Sequence, residues 1–168
     1  MGRVCLPPDI TELKGGVIFL AGPIQGAADW QHEAVKILRS LDPNFHIANP
    51  RRKYLDGEFV YRQQVDWETY YLNRAAKNGV ILFWLAKEYE HLPSRAYAQT
   101  SRLEFGEWKA KHEWGLAKLA VGIEEGFSGR RYIGHRMAQD CPDIPVNGSL
   151  EETCAEAVRI YYAQAGEF

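Results

Sequence analysis

The residues of this 168-residue chain best equipped for chemistry are carboxylates set among aromatics. Asp66 and Glu68 flank Trp67, and Glu104 falls in "TSRLEFGEW", just behind the hydroxyl pair Thr100 and Ser101. Tyr54, Phe59, Tyr61, Trp84, Tyr89 and Tyr97 occupy the neighbouring segments. Aromatic faces with a few acids suit a flat polar heterocycle such as a nucleobase, although packing accounts for several of the same side chains. Glu104 admits two readings. Ser101-x-x-Glu104 has the spacing of a capping box, in which the glutamate at the third helical position reaches back to the cap. A helix N-terminus favours negative charge by about 0.3–1 kcal/mol, so a carboxylate there is expected to be ionised at neutral pH. An ionised, positioned carboxylate is also the reagent that attack on an anomeric carbon requires, because the transition state is an oxocarbenium cation.

Other chemistries find less support. "AGPIQGAADW" has neither GxGxxG nor GxxxxGK[ST], the spacings that cradle dinucleotides and triphosphates. There Gly22 either admits a ligand close to the backbone or, with Pro23, simply ends a strand, while Gln25, Asp29 and Trp30 can hydrogen-bond or stack. His32, His46, His91, His112 and His135 are scattered without HExxH spacing, and no GxSxG elbow occurs. No metal and no cofactor is expected.

The elements that must position these groups alternate. "GVIFLAGPI", residues 16–24, is an unbroken apolar run of the kind buried on both faces of a parallel sheet. "DWQHEAVKILRSL" follows with helical apolar spacing and Asp29 as its cap. "FHIANP" reads as a second strand, "RRKYLDGEFVYRQQ" as a loop, "QVDWETYYLNRAAKN" as a helix stopped by Asn78-Gly79, and "VILFWLA" as the third strand. After a loop through Pro93 come the helix "SRLEFGEWKAKHEWG", the strand "LAKLAVGI", a loop "EEGFSGRRYIG", a short strand "DIPV", and a closing helix capped by Ser149 with Glu152. Gly106 inside a helix costs about 1 kcal/mol, which suggests close packing against the sheet. Residues 1–14 read as an N-terminal lead-in interrupted by Pro7-Pro8. Residues 15–168 read as a single α/β domain of flavodoxin/Rossmann-like type. It has about five parallel strands with helices on both faces. In such sheets ligands sit beyond the carboxyl ends of the strands, near a topological switch point.

Composition narrows the class further. Hydrophobic residues at 46% and charged residues at 25% are ordinary for a globular chain. A formal charge of −2 argues against a nucleic acid polymer as partner. The pairs Arg51-Arg52 and Arg130-Arg131 read as solvated turn residues. Cys5, Cys141 and Cys154 are odd in number and lack CxxC spacing, which fits reduced thiols in a cytoplasmic protein. No secretion signal, lipidation motif or membrane-length apolar run is apparent.

Four ordered pieces carry a resemblance. "VIFLAGPI", "ANPRR", "QVDWETYYLNRAAKNGVILFW" and "TSRLEFGEW", within about residues 16–122, together resemble the nucleoside 2-deoxyribosyltransferase family. The resemblance implies a small flavodoxin-like domain acting on nucleosides and free nucleobases. It also implies a homo-oligomer, dimer or higher, with sites near subunit contacts. It makes Glu104 the catalytic nucleophile and places Gly22 and Pro23 under the substrate, with Asp66 or Glu68 reaching the base. The chain departs from the family pattern at Ala98 and Asn78, where acids are usual, and at Thr100 or Ser101, where a glycine is usual.

The expected activity is therefore exchange of the base of a 2'-deoxyribonucleoside by double displacement through a glycosyl-Glu104 intermediate. Glu68, Asp66, Gln99 and Tyr97 are the expected base contacts, and Gln25, Trp84 and Ser101 complete the expected binding set. One alternative is an N-glycoside hydrolase of nucleosides or their 5'-monophosphates, with Thr100, Ser101 and Arg102 toward the phosphate. The other is a non-catalytic nucleotide-binding module in which Glu104 only caps a helix.

Overall fold

The computed structural model describes residues 1–52 and 60–165. Tyr54 and Phe59 lie outside the described residues. In chain order the elements are β1 (Val4–Cys5), β2 (Val17–Ala21), α1 (Trp30–Leu41), β3 (His46–Ala48), α2 (Tyr61–Lys77) and β4 (Gly79–Leu85). They continue with α3 (Gln99–Glu113), β5 (Leu119–Ile123), α4 (Arg130–Asp140), β6 (Val146–Asn147) and α5 (Leu150–Ala165). The strands form one sheet in the order β1-β3-β2-β4-β5-β6, and every pairing is parallel.

The central strands are apolar throughout because both faces are covered, and alternate side chains feed two separate cores. Val17, Phe19, Ala21, Ile81, Phe83 and Leu85 join Trp67, Tyr71, Phe105 and Trp108 under α2 and α3. Ile18, Leu20, Val80, Leu82 and Trp84 join Trp30, Leu38, Cys154 and Ala157 under α1 and α5. Asp29 accepts a hydrogen bond from His32 N–H at 3.1 Å, and Ser149 Oγ accepts from Glu152 N–H at 3.2 Å. Both caps therefore stand where the residue types placed them.

The α/β architecture with helices on both faces is as expected, with differences of detail, the first being that residues 61–64, read as the end of a loop, form the first turn of α2. Within the lead-in, Val4 and Cys5 pair with Ile47 and Ala48, adding an edge strand that two residues cannot announce by periodicity. Residues 130–134, read as the end of a loop, open α4, which buries only Met137 and so has almost no apolar stripe to betray it. Gly106 is exposed, and a Cβ there would meet nothing within 4 Å, so it does not serve close packing against the sheet. Among the described residues no helix is long and apolar enough to cross a membrane.

From β2 the chain crosses to β3 on one side and then returns to β4 on the other. The loops leaving the carboxyl ends of β2 and β4 therefore diverge, which opens the crevice where ligands of such sheets bind.

Candidate active site

A cleft of about 290 Å³ lies at that switch point. The size is at the lower end of the roughly 300–1,000 Å³ of small-molecule sites. Its base is the end of β2 and the turn after it, through Phe19, Ala21, Gly22, Pro23, Ile24 and Gln25. One wall is the start of α2, with Tyr61, Gln64, Val65 and Glu68. The other wall is the entry to α3, with Arg95, Ala98, Gln99, Thr100, Ser101 and Glu104, and Pro50 closes the side next to β3.

The local backbone explains each placement. Gly22 has φ +151°, and a Cβ there would stand 2.2 Å from the Trp84 carbonyl oxygen. Glycine is thus demanded by the approach of β4 as well as by any ligand. α3 begins after Ala98, whose φ of 56° turns the chain left-handed without a side-chain cap. Gln99 is therefore the first helical residue and Ser101 the third, which puts Glu104 in the second turn rather than at the capping-box position. The capping expectation for Glu104 is corrected: its carboxyl lies beyond the cap and on the cleft wall.

Its charge state is corrected as well. Burial, then the neighbouring charges of Glu68 and Glu107, push the Glu104 carboxyl from an ordinary 4.5 up to about 8. The helix N-terminus does not hold it ionised, because desolvation of a second-turn side chain outweighs a dipole effect confined to the first turn. Glu68 is also raised, mainly by burial, against a hydrogen bond from Gln64 Nε2 at 2.8 Å that favours its charged form. The Glu68 charge is the second cause of the Glu104 shift, so ionisation of one carboxyl disfavours ionisation of the other.

Gly22, Pro23, Gln25, Glu68, Gln99, Ser101 and Glu104 all line this cleft. Three other expected binding residues stand elsewhere. Asp66 projects from the solvent face of α2, 3.7 Å from Arg62. Trp84 points to the α1/α5 side of the sheet, the face opposite α3, because strand residues alternate. Tyr97 donates its hydroxyl to the carbonyls of Ala86 at 2.6 Å and Lys87 at 2.9 Å, pinning the loop after β4. Asp29 and Trp30 also act within the protein, the latter donating Nε1–H to the Pro23 carbonyl at 2.8 Å.

Ile24, Pro50 and Arg95 fall in the strand-end loops where a ligand is expected but are not singled out by the sequence, and Phe19, Gln64 and Val65 lie outside those loops. Gln64 had a legible signal, since it lies one helical turn before Glu68 and shares its face. Gln64 is buried and also donates to the Pro50 carbonyl at 3.2 Å, tying α2 to the end of β3. Arg51, read as a solvated turn residue, is instead engaged by the turn after β2. It donates Nε–H to Gln31 Oε1 at 2.9 Å and Nη2–H to the Ile24 carbonyl at 2.8 Å.

Among the described residues no group of three His, Cys, Asp or Glu side chains is gathered to hold a metal. What the arrangement offers is two carboxyls with raised proton affinity, Glu68 and Glu104, facing a cavity with apolar and amide walls. Such a pair can attack a carbon and protonate a leaving group. Residues 16–125 match the family described as nucleoside 2-deoxyribosyltransferase like. No curated protein is matched by the chain.

Proposed function

The chain belongs to the nucleoside 2-deoxyribosyltransferase-like family, and on that premise we propose that it moves a 2-deoxyribosyl group between nucleobases by double displacement. Glu104 is the nucleophile. Its carboxylate oxygen bonds to C1' as the C1'–N bond breaks, and the departing base takes a proton at a ring nitrogen. In a second step an incoming base attacks C1' from the face the first base left. It loses its proton to the carboxyl that gave one up and frees Glu104, so configuration is retained.

Glu68 is the proton donor and acceptor in this scheme. The single observation that supports the reading most is that Glu68 and Glu104 line one cleft and both have raised affinity for protons. With one proton between them, the pair supplies both an acid and a nucleophile at neutral pH. Burial favours a protonated Glu104 in the unliganded cleft; the reactive arrangement of this scheme has the proton on Glu68, facing the base. In this scheme Gln25 and Gln99 hydrogen-bond the substrate and Tyr61 offers ring surface; all three line the cleft.

A second reading, hydrolysis of a nucleoside or its 5'-monophosphate, is favoured by one observation. Arg95, Thr100 and Ser101 line the cleft at the N-terminus of α3, where an anion is stabilised. The test is incubation with deoxyinosine and free adenine, followed by chromatography. Deoxyadenosine formation supports transfer, while hypoxanthine without deoxyadenosine supports hydrolysis and calls for deoxyinosine monophosphate as substrate. Glu104→Gln abolishes either reaction, and rapid acid quench with intact-mass measurement finds a deoxyribosyl adduct on the wild-type enzyme only. Turnover by Glu104→Gln at the wild-type rate would eliminate the nucleophile assignment.

A further inference from the structure

The turn after β2 is held from behind by one guanidinium. Arg51 is four-fifths buried at the end of β3. Its Nη2 donates to the carbonyls of Ile24 at 2.8 Å and Ala28 at 3.0 Å, with that of Ala27 at 3.3 Å. Its Nε donates to Gln31 Oε1, and its Nε also stands 3.4 Å from Asp29 Oδ1. Gln31 is fully buried and passes the linkage on, donating Nε2–H to the Pro23 carbonyl at 3.4 Å beside the stronger bond from Trp30. The carbonyls of Pro23 and Ile24 are thus both committed to side chains behind the turn.

A trans peptide is planar, so the N–H of the following residue points opposite to each carbonyl. Fixing the Pro23 and Ile24 carbonyls therefore fixes the N–H groups of Ile24 and Gln25 on the other side of the turn. Ile24 and Gln25 line the cleft. Neither N–H has an acceptor among the described residues. Ile24 is half-buried and Gln25 exposed, so both donors are open to an acceptor that enters the cleft.

We infer that Arg51 is a positioning residue, which sets the Ile24 and Gln25 amides as a donor pair for an oxygen of the bound nucleoside. The inference rests on the reading of the cleft as a nucleoside site and adds which backbone groups hold the ligand and what orients them. Lysine cannot replace the arginine, because a single ammonium lacks the planar fork that spans Gln31 and the carbonyls of the turn.

The test has two arms. In the first, Arg51→Lys is compared with wild type on deoxyinosine and adenine. KM for deoxyinosine is expected to rise about 10- to 100-fold, the loss of a charge-oriented hydrogen-bond set, while kcat stays within about threefold. An unchanged KM overturns the inference. So does a fall in kcat equal to the fall in kcat/KM, which would place the effect in the chemical step. The second arm needs no variant and no turnover. Amide proton shifts of uniformly labelled wild-type protein are followed as deoxyinosine, and separately adenine, is added. Downfield movement of the Ile24 and Gln25 amides with deoxyinosine supports the inference even if base exchange is never seen, in which case the proposed function alone falls. Movement at Ala98 and Ser101 with Ile24 and Gln25 unmoved overturns the inference and leaves the proposed function standing. A spectrum that neither compound perturbs overturns both.

Discussion

Replacing Glu104 by glutamine is expected to stabilise the fold in alkaline solution and to make its stability less sensitive to pH. In the folded chain the carboxyl holds its proton up to about 8, whereas its ordinary value is 4.5. Between those limits the folded state binds more protons than the unfolded chain, so stability falls as pH rises through this window and levels off above about 8. Each pH unit of that gap is worth 1.36 kcal/mol, so the largest loss attributable to Glu104 is about 5 kcal/mol. Part of it belongs to the repulsion from Glu68, and water entering the open cleft reduces it further. A domain of this size has roughly 5–15 kcal/mol in all, so even half of the ceiling is easily measured. Urea unfolding of wild type and Glu104→Gln at pH 5, 7 and 9, with equal slopes checked, isolates the difference. Carboxylates paired elsewhere, such as Asp140 with Lys109 and Arg136, contribute equally to both proteins and cancel. The variant is expected to gain on wild type by 2 kcal/mol or more between pH 5 and 9, on the order of half the ceiling. Parallel stability curves would refute the argument, because they would mean that Glu104 ionises as freely folded as unfolded.

The proposed mechanism also sets an expectation for turnover. The pH profile of kcat/KM is expected to fall above about 8 as the shared proton is lost, and Glu68→Gln should remove more activity from substrates with poor leaving bases than from those with good ones. A profile that keeps rising beyond pH 9 would contradict the acid role. Gly106→Ala should raise stability by about 0.5–1 kcal/mol, since the site is helical, exposed and sterically empty; thermal unfolding reads it directly. Gly22→Ala should lower stability by about 2 kcal/mol or more, because the new methyl collides with the Trp84 carbonyl and the indole of Trp30. Denaturant midpoints for this variant at or above wild type would show that the β2–β4 approach relaxes.

Much of the layout was legible in one dimension. Unbroken apolar runs such as "VIFLA" and "VILFW" announce strands covered on both faces, and helical spacing with Asp29 and Ser149 as caps announces α1 and α5. These signals survive because they come from local periodicity and cap chemistry, which need no knowledge of what lies across the fold. β1 and α4 escaped because two residues have no period and a helix that buries only Met137 has no stripe.

The site divides in the same way. That a cleft opens beyond the ends of β2 and β4, and that Glu104 is its candidate nucleophile, follows from the order of elements and from the motif pieces. Which acid joins Glu104 was left between Asp66 and Glu68 by the sequence, and the answer is a matter of helix phase: two residues apart on α2 means nearly opposite faces, so only Glu68 meets the cleft. Trp84 was lost to the opposite side of the sheet for the corresponding reason in a strand. The charge of Glu104 and the grip of Arg51 on the turn after β2 were beyond any one-dimensional reading. Sequence alone determined the α/β alternation, the end of the sheet that carries the cleft and the nucleophile candidate, because these are properties of neighbours along the chain. Tertiary structure decided which carboxyl shares the cleft with Glu104, that burial raises the proton affinity of both, and which backbone amides of the turn after β2 are left without a protein acceptor. Desolvation and hydrogen-bond direction depend on groups that meet only when the chain folds.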